Sequence, residues 1–320
     1  MKPGGLPERR ESRRGRAPAW RRAAILLVAG AWLQGCGAPI SVTSPPLASR
    51  TGEAGARAWL IMMENRSDTE IVGNADAPYL NRLMQQYASS LNYRALVHSS
   101  QPNYIALFSG DLHGVTGNQT VNLGARNLAD QLEAAGLTWK VYAQNVPGAC
   151  FTGESARGGP DGPGTYARKH EPAISFTDIS GSPTRCANIQ DLTTFDPMAA
   201  NFEFIVPNLQ NDMHDGTTLE GDTFLKRFVP RILETSAWKA GSPLFITWDE
   251  GKQRSPNHVL TLIIANTVKA GYRSHKPHTH YSLLLTIESW FGLPCLAQSC
   301  QASQLSEFFP SFPPAPTSSP

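Results

Sequence analysis

The 320-residue chain is 41% hydrophobic and 17% charged, which is enough apolar material for one large domain with a substantial core. The formal net charge is only +2, and much of the arginine lies in the first two dozen residues. The remainder carries no basic stripe, so nucleic acid is not among the expected partners.

The chain opens with an Arg-rich head ending in Arg21-Arg22 and an apolar run from Ala23 to Leu33. That run is too short to span a bilayer and has the form of a secretory signal. Leu33-Gln34-Gly35-Cys36 has the pattern of a bacterial lipoprotein cleavage box, which predicts a signal over residues 1–35 and lipidation of Cys36. The expected location is the bacterial periplasm or cell surface, with membrane contact through a lipid at Cys36; with an ordinary signal peptide instead, the protein would be secreted. Residues 36–56, rich in Ser, Pro, Gly, Ala and Thr, read as a flexible tether. The catalytic domain is expected over residues 57–300.

Ala58 to Met63 is a continuous apolar run that ends in Glu64-Asn65, as in a buried parallel strand with a polar C-terminal end. Ala77 to Ser89 has helical spacing, and Asn92 to Val97 reads as the next strand. Ser100 follows in a tight polar turn before a helix-like run from Tyr104 to Phe108. A serine at a strand-to-helix junction can be held clear of the sheet, near free backbone N–H groups. Leu128 to Ala135, closed by Gly136, predicts a helix, and Thr138 to Ala143 a strand. Residues 147–197 dissolve into Gly, Pro, Ser and Thr and read as a long irregular insertion that covers a site. Strands follow at Phe202 to Val206, Leu244 to Trp248 and Val259 to Ala265, with helices over Asp222 to Thr235 and Tyr281 to Phe291. Residues 301–320, rich in Gln, Ser and Pro, are expected to be disordered. The alternation of strands and helices predicts an α/β sandwich with a mostly parallel sheet, whose site forms beyond the strand C-termini.

Cys150, Cys186, Cys295 and Cys300 are an even set in an exported chain and suggest two disulfides. The close pair Cys295 and Cys300 would close one loop, leaving Cys150 with Cys186; no Cys-x-x-Cys spacing points to zinc.

Polar side chains concentrate where a site is expected. Glu64 and Asn65 offer oxygen to a hard cation, as do the adjacent acids Asp249 and Glu250, which repel unless a cation or proton offsets them. Asn211 to Gly216 packs Asp212, His214 and Asp215 into a few loop positions, a mixture that suits a divalent metal. His275, His278 and His280 precede the last helix.

Several stretches, taken together and in order, resemble the phosphoesterase family of bacterial phospholipases C and acid phosphatases, within the alkaline-phosphatase-like superfamily. They are Met63-Glu64-Asn65-Arg66-Ser67, Gly73 to Tyr79, Ser100-Gln101-Pro102-Asn103-Tyr104, Ser109-Gly110, Lys169-His170-Glu171-Pro172, Pro207-Asn208 with Asn211 to Asp215, Trp248 to Gly251, and His280 to Leu284 with Glu288 and Phe291 to Pro294. The resemblance implies a three-layer α/β/α sandwich and a phosphoserine route. Ser100 would be the nucleophile, and a divalent ion (calcium, magnesium, manganese, zinc or iron) would be held by Glu64, Asn65, Ser100, Asp212, Asp249 and Glu250. Asn103 would bind a phosphoryl oxygen, His214 or His280 would protonate the leaving group, and His170 would reach in from the insertion. Glu64-Asn65 and Glu250 stand where many of the superfamily carry Asp and His, which resembles a one-metal arrangement. The activity expected first is hydrolysis of phosphate monoesters. Phospholipase C action on phospholipid head groups is the second reading, and a non-catalytic ligand-binding surface lipoprotein is the third.

Overall fold

The computed structural model describes residues 55–159, 162–252 and 256–317. The leader, Cys36 and nearly all of the tether lie outside them. In chain order the elements are β1 (Ala58–Met63), α1 (Pro78–Gln86), β2 (Ala88–Arg94), α2 (Ser100–Ser109), α3 (Leu128–Ala134), β3 (Trp139–Ala143), β4 (Ser155–Gly159), β5 (Gly162–Ala167), α4 (Thr177–Ser180), α5 (Pro183–Cys186) and β6 (Ile189–Gln190). They continue with β7 (Phe202–Val206), α6 (Thr218–Leu233), α7 (Ser236–Lys239), β8 (Leu244–Trp248), β9 (His258–Ile264), β10 (Arg273–Ser274), β11 (His278–Thr279) and α8 (His280–Phe291).

The main sheet runs β10-β2-β9-β8-β1-β7-β3-β6, with β11 also on β2. Adjacent strands are parallel except where β9 pairs with β2 and with β8. The expected α/β class is therefore the observed one. Every residue of β1, β7 and β8 is buried, as their near-continuous apolar runs require of strands covered on both faces. The path from β1 to β2 crosses the sheet one way, and the path from β2 to β3 crosses it the other way. Right-handed crossovers therefore put α1 on one face and α2 with α3 on the opposite one. The contacts agree: α1 packs with α6, and α2 packs with α8. Among the described residues no helix is long and apolar enough to cross a membrane.

Three sequence expectations change. Helix α1 stops at Gln86, and β2 starts at Ala88 rather than Asn92. Ala88, Ser89 and Ser90 pair with Ile263, Leu262 and Thr261, and this pairing outweighs the local helical spacing. The segment 147–197 is not irregular throughout. It forms the β4–β5 hairpin and the short helices α4 and α5, and it adds β6 to the sheet beside β3. The tail is also ordered through the described residues. Leu305, Phe308 and Phe309 are buried, and Phe309 stacks at 4.7 Å on Phe312 and lies 6.4 Å from Trp290 of α8. Three phenylalanines give this Pro-rich stretch apolar area that its composition conceals. The disulfides pair as expected, Cys150 with Cys186 and Cys295 with Cys300.

Candidate active site

The site starts from two neighbouring strand ends. Register between β1 and β8 sets Met63 beside Trp248, so the next residues, Glu64 and Asp249, leave the sheet level with each other. Asp249 N–H donates to the Met63 carbonyl (2.9 Å), and Asn65 N–H donates to Asp249 Oδ1 (3.0 Å). Asn65 holds a left-handed backbone (φ 51°), a conformation asparagine tolerates better than most residues, and its amide donates to Glu64 Oε2 (3.2 Å). A third carboxylate arrives from the loop after β7: Glu64 N–H donates to the Asp212 carbonyl (2.8 Å). Met213, buried with φ 83°, stores backbone strain between Asp212 and His214.

Ser100 is the first residue of α2 and is buried. Its Oγ lies 3.1 Å from Glu64 Oε2 and 3.4 Å from Glu250 Oε1. Glu250 Oε2 in turn meets His98 Nδ1 at 3.3 Å.

The insertion supplies the imidazole. Strand β5 docks on the Asp212 loop: Leu209 N–H donates to the Thr165 carbonyl (3.0 Å) and Thr165 N–H to Gln210 Oε1 (3.0 Å). Gly164 permits this approach, because a Cβ there would lie 2.0 Å from Asn208 Nδ2. His170, three residues beyond β5, is thereby buried with Nε2 at 3.1 Å from Glu64 Oε1 and Nδ1 at 3.3 Å from Asp212 Oδ2. The Tyr104 ring stacks on its imidazole (5.3 Å, 11°) and fixes its plane.

Four buried atoms in this cluster have no hydrogen-bond partner: Glu64 Oε1, His170 Nε2, Asp212 Oδ2 and Asp249 Oδ2. The His170 approaches are close without the alignment of hydrogen bonds. Each of the three carboxylates has one oxygen hydrogen-bonded and one bare, and a buried acceptor without a partner is costly. Glu64, His170 and His214 can each present a ligand atom within 4.8 Å of the others. Burial, then Asp249 and Asp212, pushes the Glu64 carboxyl well up; burial likewise raises Asp212. Burial and the charge of Glu250 raise Asp249 to about 7. Burial, with Lys169 and His214 nearby, pushes His170 well down, so the ring is neutral at neutral pH and one of its nitrogens keeps a free lone pair. Excess negative charge and a neutral imidazole around a common centre fit a divalent cation.

The chain matches the model of the Phosphoesterase family over residues 59–294. It belongs to that family. This phosphoesterase, a hydrolase acting on phosphoric ester bonds, is 32% identical over 256 residues to the phosphatidylinositol-3-phosphatase of Mycobacterium tuberculosis, covering 79% of this chain and 83% of that one. It is 28% identical over 272 residues to the phosphate-repressible acid phosphatase of Penicillium chrysogenum, where the match covers 81% of this chain but 65% of the fungal one. Among solved structures it is similar to a phosphonate monoester hydrolase from Silicibacter pomeroyi (TM-score 0.55, 14% identity, 79% of this chain and 76% of that one). It is also similar to a lipoteichoic acid synthase from Listeria monocytogenes (TM-score 0.56, 7% identity, 78% and 75%). At such identities the likeness is one of fold.

Of the residues expected from sequence, the phosphoesterase brings Glu64, Asn65, Ser100, His170, Asp212, Asp249 and Glu250 together, with His214 at the rim. Two are employed differently. Asn103 accepts from the N–H groups of Leu96 (2.9 Å) and Val97 (3.3 Å) and donates to the carbonyls of Val97 (2.9 Å) and Ser99 (3.0 Å). Its amide holds the turn that presents Ser100 and has no N–H left for a phosphoryl oxygen. His280 is fully buried behind the site. Its Nε2 meets the Asp249 carbonyl at 2.7 Å and its Nδ1 meets Tyr93 Oη at 3.0 Å. Because a carbonyl only accepts, Nε2 carries the proton and Nδ1 accepts from tyrosine. His280 positions Asp249 and is not available to a leaving group. His275 and His278 lie apart from the cluster; His278 Nε2 is 2.8 Å from Glu307 Oε1. Lys169 had no role expected from sequence, although it precedes His170 in the family-like stretch Lys169 to Pro172. Its Nζ lies 3.0 Å from His214 Nε2, while His214 Nδ1 faces Asp215 Oδ1 at 2.7 Å. His214 can offer Nε2 to a cation only if Lys169 moves off it.

Proposed function

We propose that the protein hydrolyses phosphate monoesters with Ser100 as nucleophile and a divalent cation in the cluster. The observation that carries this reading is the set of unpartnered buried atoms of Glu64, His170, Asp212 and Asp249 directly beside Ser100 Oγ. Glu64, Asp249, Asp212 and His170 would hold the cation, with Asn65 and His214 at its edge. A carboxylate–imidazole donor set suits manganese, iron or zinc better than calcium. When bound, the cation supplies positive charge that favours the serine alkoxide and neutralises phosphoryl oxygens.

The chain's own groups supply the rest. Glu64 and Glu250 face the Ser100 hydroxyl and fix its direction; either carboxylate can take its proton. Ser100 Oγ forms a bond to phosphorus as the bond to the leaving oxygen breaks in line, and that oxygen takes a proton from solvent water to depart as the alcohol. Lys169 lies beside the cluster, with its Nζ 3.0 Å from His214 Nε2, and is placed to pair with a phosphoryl oxygen. Water then displaces the serine from the phosphoserine, regenerating Ser100 and releasing phosphate. Two displacements require net retention at phosphorus. Likeness to the mycobacterial phosphatidylinositol-3-phosphatase adds monoesters carried on a lipid to the substrate class. Export and an anchor at Cys36 remain part of the proposal, resting on the leader; the two disulfides favour an oxidising compartment.

The test is turnover of p-nitrophenyl phosphate across a metal panel, for wild type and Ser100→Ala. The expected result is a metal-dependent activity that falls by at least about 1,000-fold in the variant. Activity unaffected by that substitution, or inversion with a chiral phosphate ester, removes the phosphoserine route.

A further inference from the structure

A cavity of about 280 Å³ opens beside the cluster, between the helix that starts at Ser100 and the segment that carries His170. Gln101, Asn118, Gln119, Thr120, Glu154 and Lys169 line it. Gln101 is buried, with its side-chain carbonyl oxygen unpartnered, and its backbone N–H donates to Asn118 Oδ1 at 3.0 Å. Asn118, Gln119, Thr120 and Glu154 are exposed and form the rim. The rim is itself tied together: Thr120 Oγ1 donates to Glu154 Oε1 at 3.0 Å, and Arg168 N–H donates to the Glu154 carbonyl at 2.9 Å.

We propose that this cavity receives the leaving alcohol, and that it is built for an alcohol bearing several hydroxyl groups, such as a sugar or an inositol. The inference rests on the phosphomonoesterase reading and adds the class of ester. Amide and hydroxyl side chains both give and accept hydrogen bonds, and the Gln101 oxygen requires a donor that an aliphatic leaving group lacks. Among the described residues of the lining, Leu209 and Ala167 are the apolar ones, and the others carry polar groups that a hydroxyl can meet. Arg168 also lines the cavity: its Nη2 donates to the carbonyls of Val121 (3.2 Å) and Ile174 (3.3 Å), while its buried Nε and Nη1 have no partner. A hydroxyl can accept from such a donor as it donates to the Gln101 oxygen. Lys169, at the inner end, points to His214 and the phosphoryl position rather than to the rim. Free sugar or inositol monophosphates and the same head group on a lipid share this chemistry.

The experiment compares p-nitrophenyl phosphate, myo-inositol 1-phosphate and vesicles containing phosphatidylinositol 3-phosphate, using the metal-loaded full chain. The variant is Gln119→Leu with Thr120→Val, two exposed positions outside the cluster. A site that hydrogen-bonds substrate hydroxyls should lose about 10-fold in kcat/KM for the inositol ester, with p-nitrophenyl phosphate held within about twofold. Loss on the soluble ester supports the subsite with a free alcohol; loss confined to vesicles supports it with a lipid head group. An unchanged ratio of inositol ester to p-nitrophenyl phosphate in both forms overturns the subsite and leaves phosphatase activity standing. A wild type inactive on every monoester overturns both.

Discussion

Binding of a divalent cation to the metal-free protein should release protons, in a number that falls as pH rises. Glu64, Asp212 and Asp249 are buried together and all have raised carboxyl values, because burial and mutual repulsion disfavour three charges without a counterion. Asp249, at about 7, sets the scale. With that value the group carries about 0.9 proton at pH 6 and about 0.1 at pH 8, so Asp249 alone changes the count released by about 0.8. Titration calorimetry in buffers of different ionisation enthalpy measures the count directly. The same shift has a stability consequence. The folded value lies above the ordinary 3.8, so the favourable contribution is complete below about pH 4 and is lost as pH rises through about 7. The loss amounts to at most about 4 kcal/mol at 1.36 kcal/mol per unit. The metal-free protein should therefore melt lower at pH 8 than at pH 5, and saturating cation should restore stability by about 2.7 kcal/mol at 100 times Kd. For a domain of this size that is a rise of roughly 5–11 °C. Cation binding with no proton release at pH 6, or a melting temperature indifferent to chelation at pH 8, would refute the reasoning.

Other expectations follow from single contacts. Replacing His280 with Phe leaves the Asp249 carbonyl and the Tyr93 hydroxyl unpaired in the interior; it should cost about 2–5 kcal/mol by chemical denaturation and lower kcat more than it raises KM. Burial raises Glu288 to about 8 while the Leu296 N–H (2.8 Å) and the Ser299 hydroxyl (2.7 Å) bond to it, so its contribution is present below about pH 4.5 and lost as pH rises through about 8. Glu288→Gln should flatten that loss and make the variant relatively more stable at pH 9, measured as a denaturation midpoint against pH. Cys150→Ser with Cys186→Ser opens a 36-residue loop and should remove about 4 kcal/mol; activity should fail at lower denaturant than global unfolding, because His170 lies inside that loop.

The carboxylate half of the site was legible in the sequence, because a buried strand that ends abruptly in acids has a simple signature. Glu64 after Ala58–Met63 and Asp249 after Leu244–Trp248 follow from apolar runs alone, and the strand register then aligns them. His170 had no such signature. It sits in a Gly- and Pro-rich segment, and only the family resemblance of Lys169-His170-Glu171-Pro172 marked it. The employment of Asn103 and His280 could not be read either. Side chains in the first turn of a helix lean back over the preceding residues, so Asn103 closes on its own turn. The direction of His280 depends on Tyr93 from β2, a contact with no local trace. The tail was misjudged for a compositional reason: proline and serine dominate the count, while three phenylalanines decide the packing.

That tail ties distant parts of the molecule together. Phe309 and Phe312 lie against Trp290, whose indole N–H donates to the carbonyl of Arg57 (2.8 Å) just before β1. Trp290 belongs to the helix whose first residue, His280, braces Asp249. The last segment thus bears on the chemistry without approaching it. A purification tag fused after residue 317 should be harmless, whereas a protein cut back to residue 300 should lose activity before it loses its sheet. Burying Leu305, Phe308 and Phe309 also keeps the backbone around them from the extended form that an endoprotease must bind before it cuts.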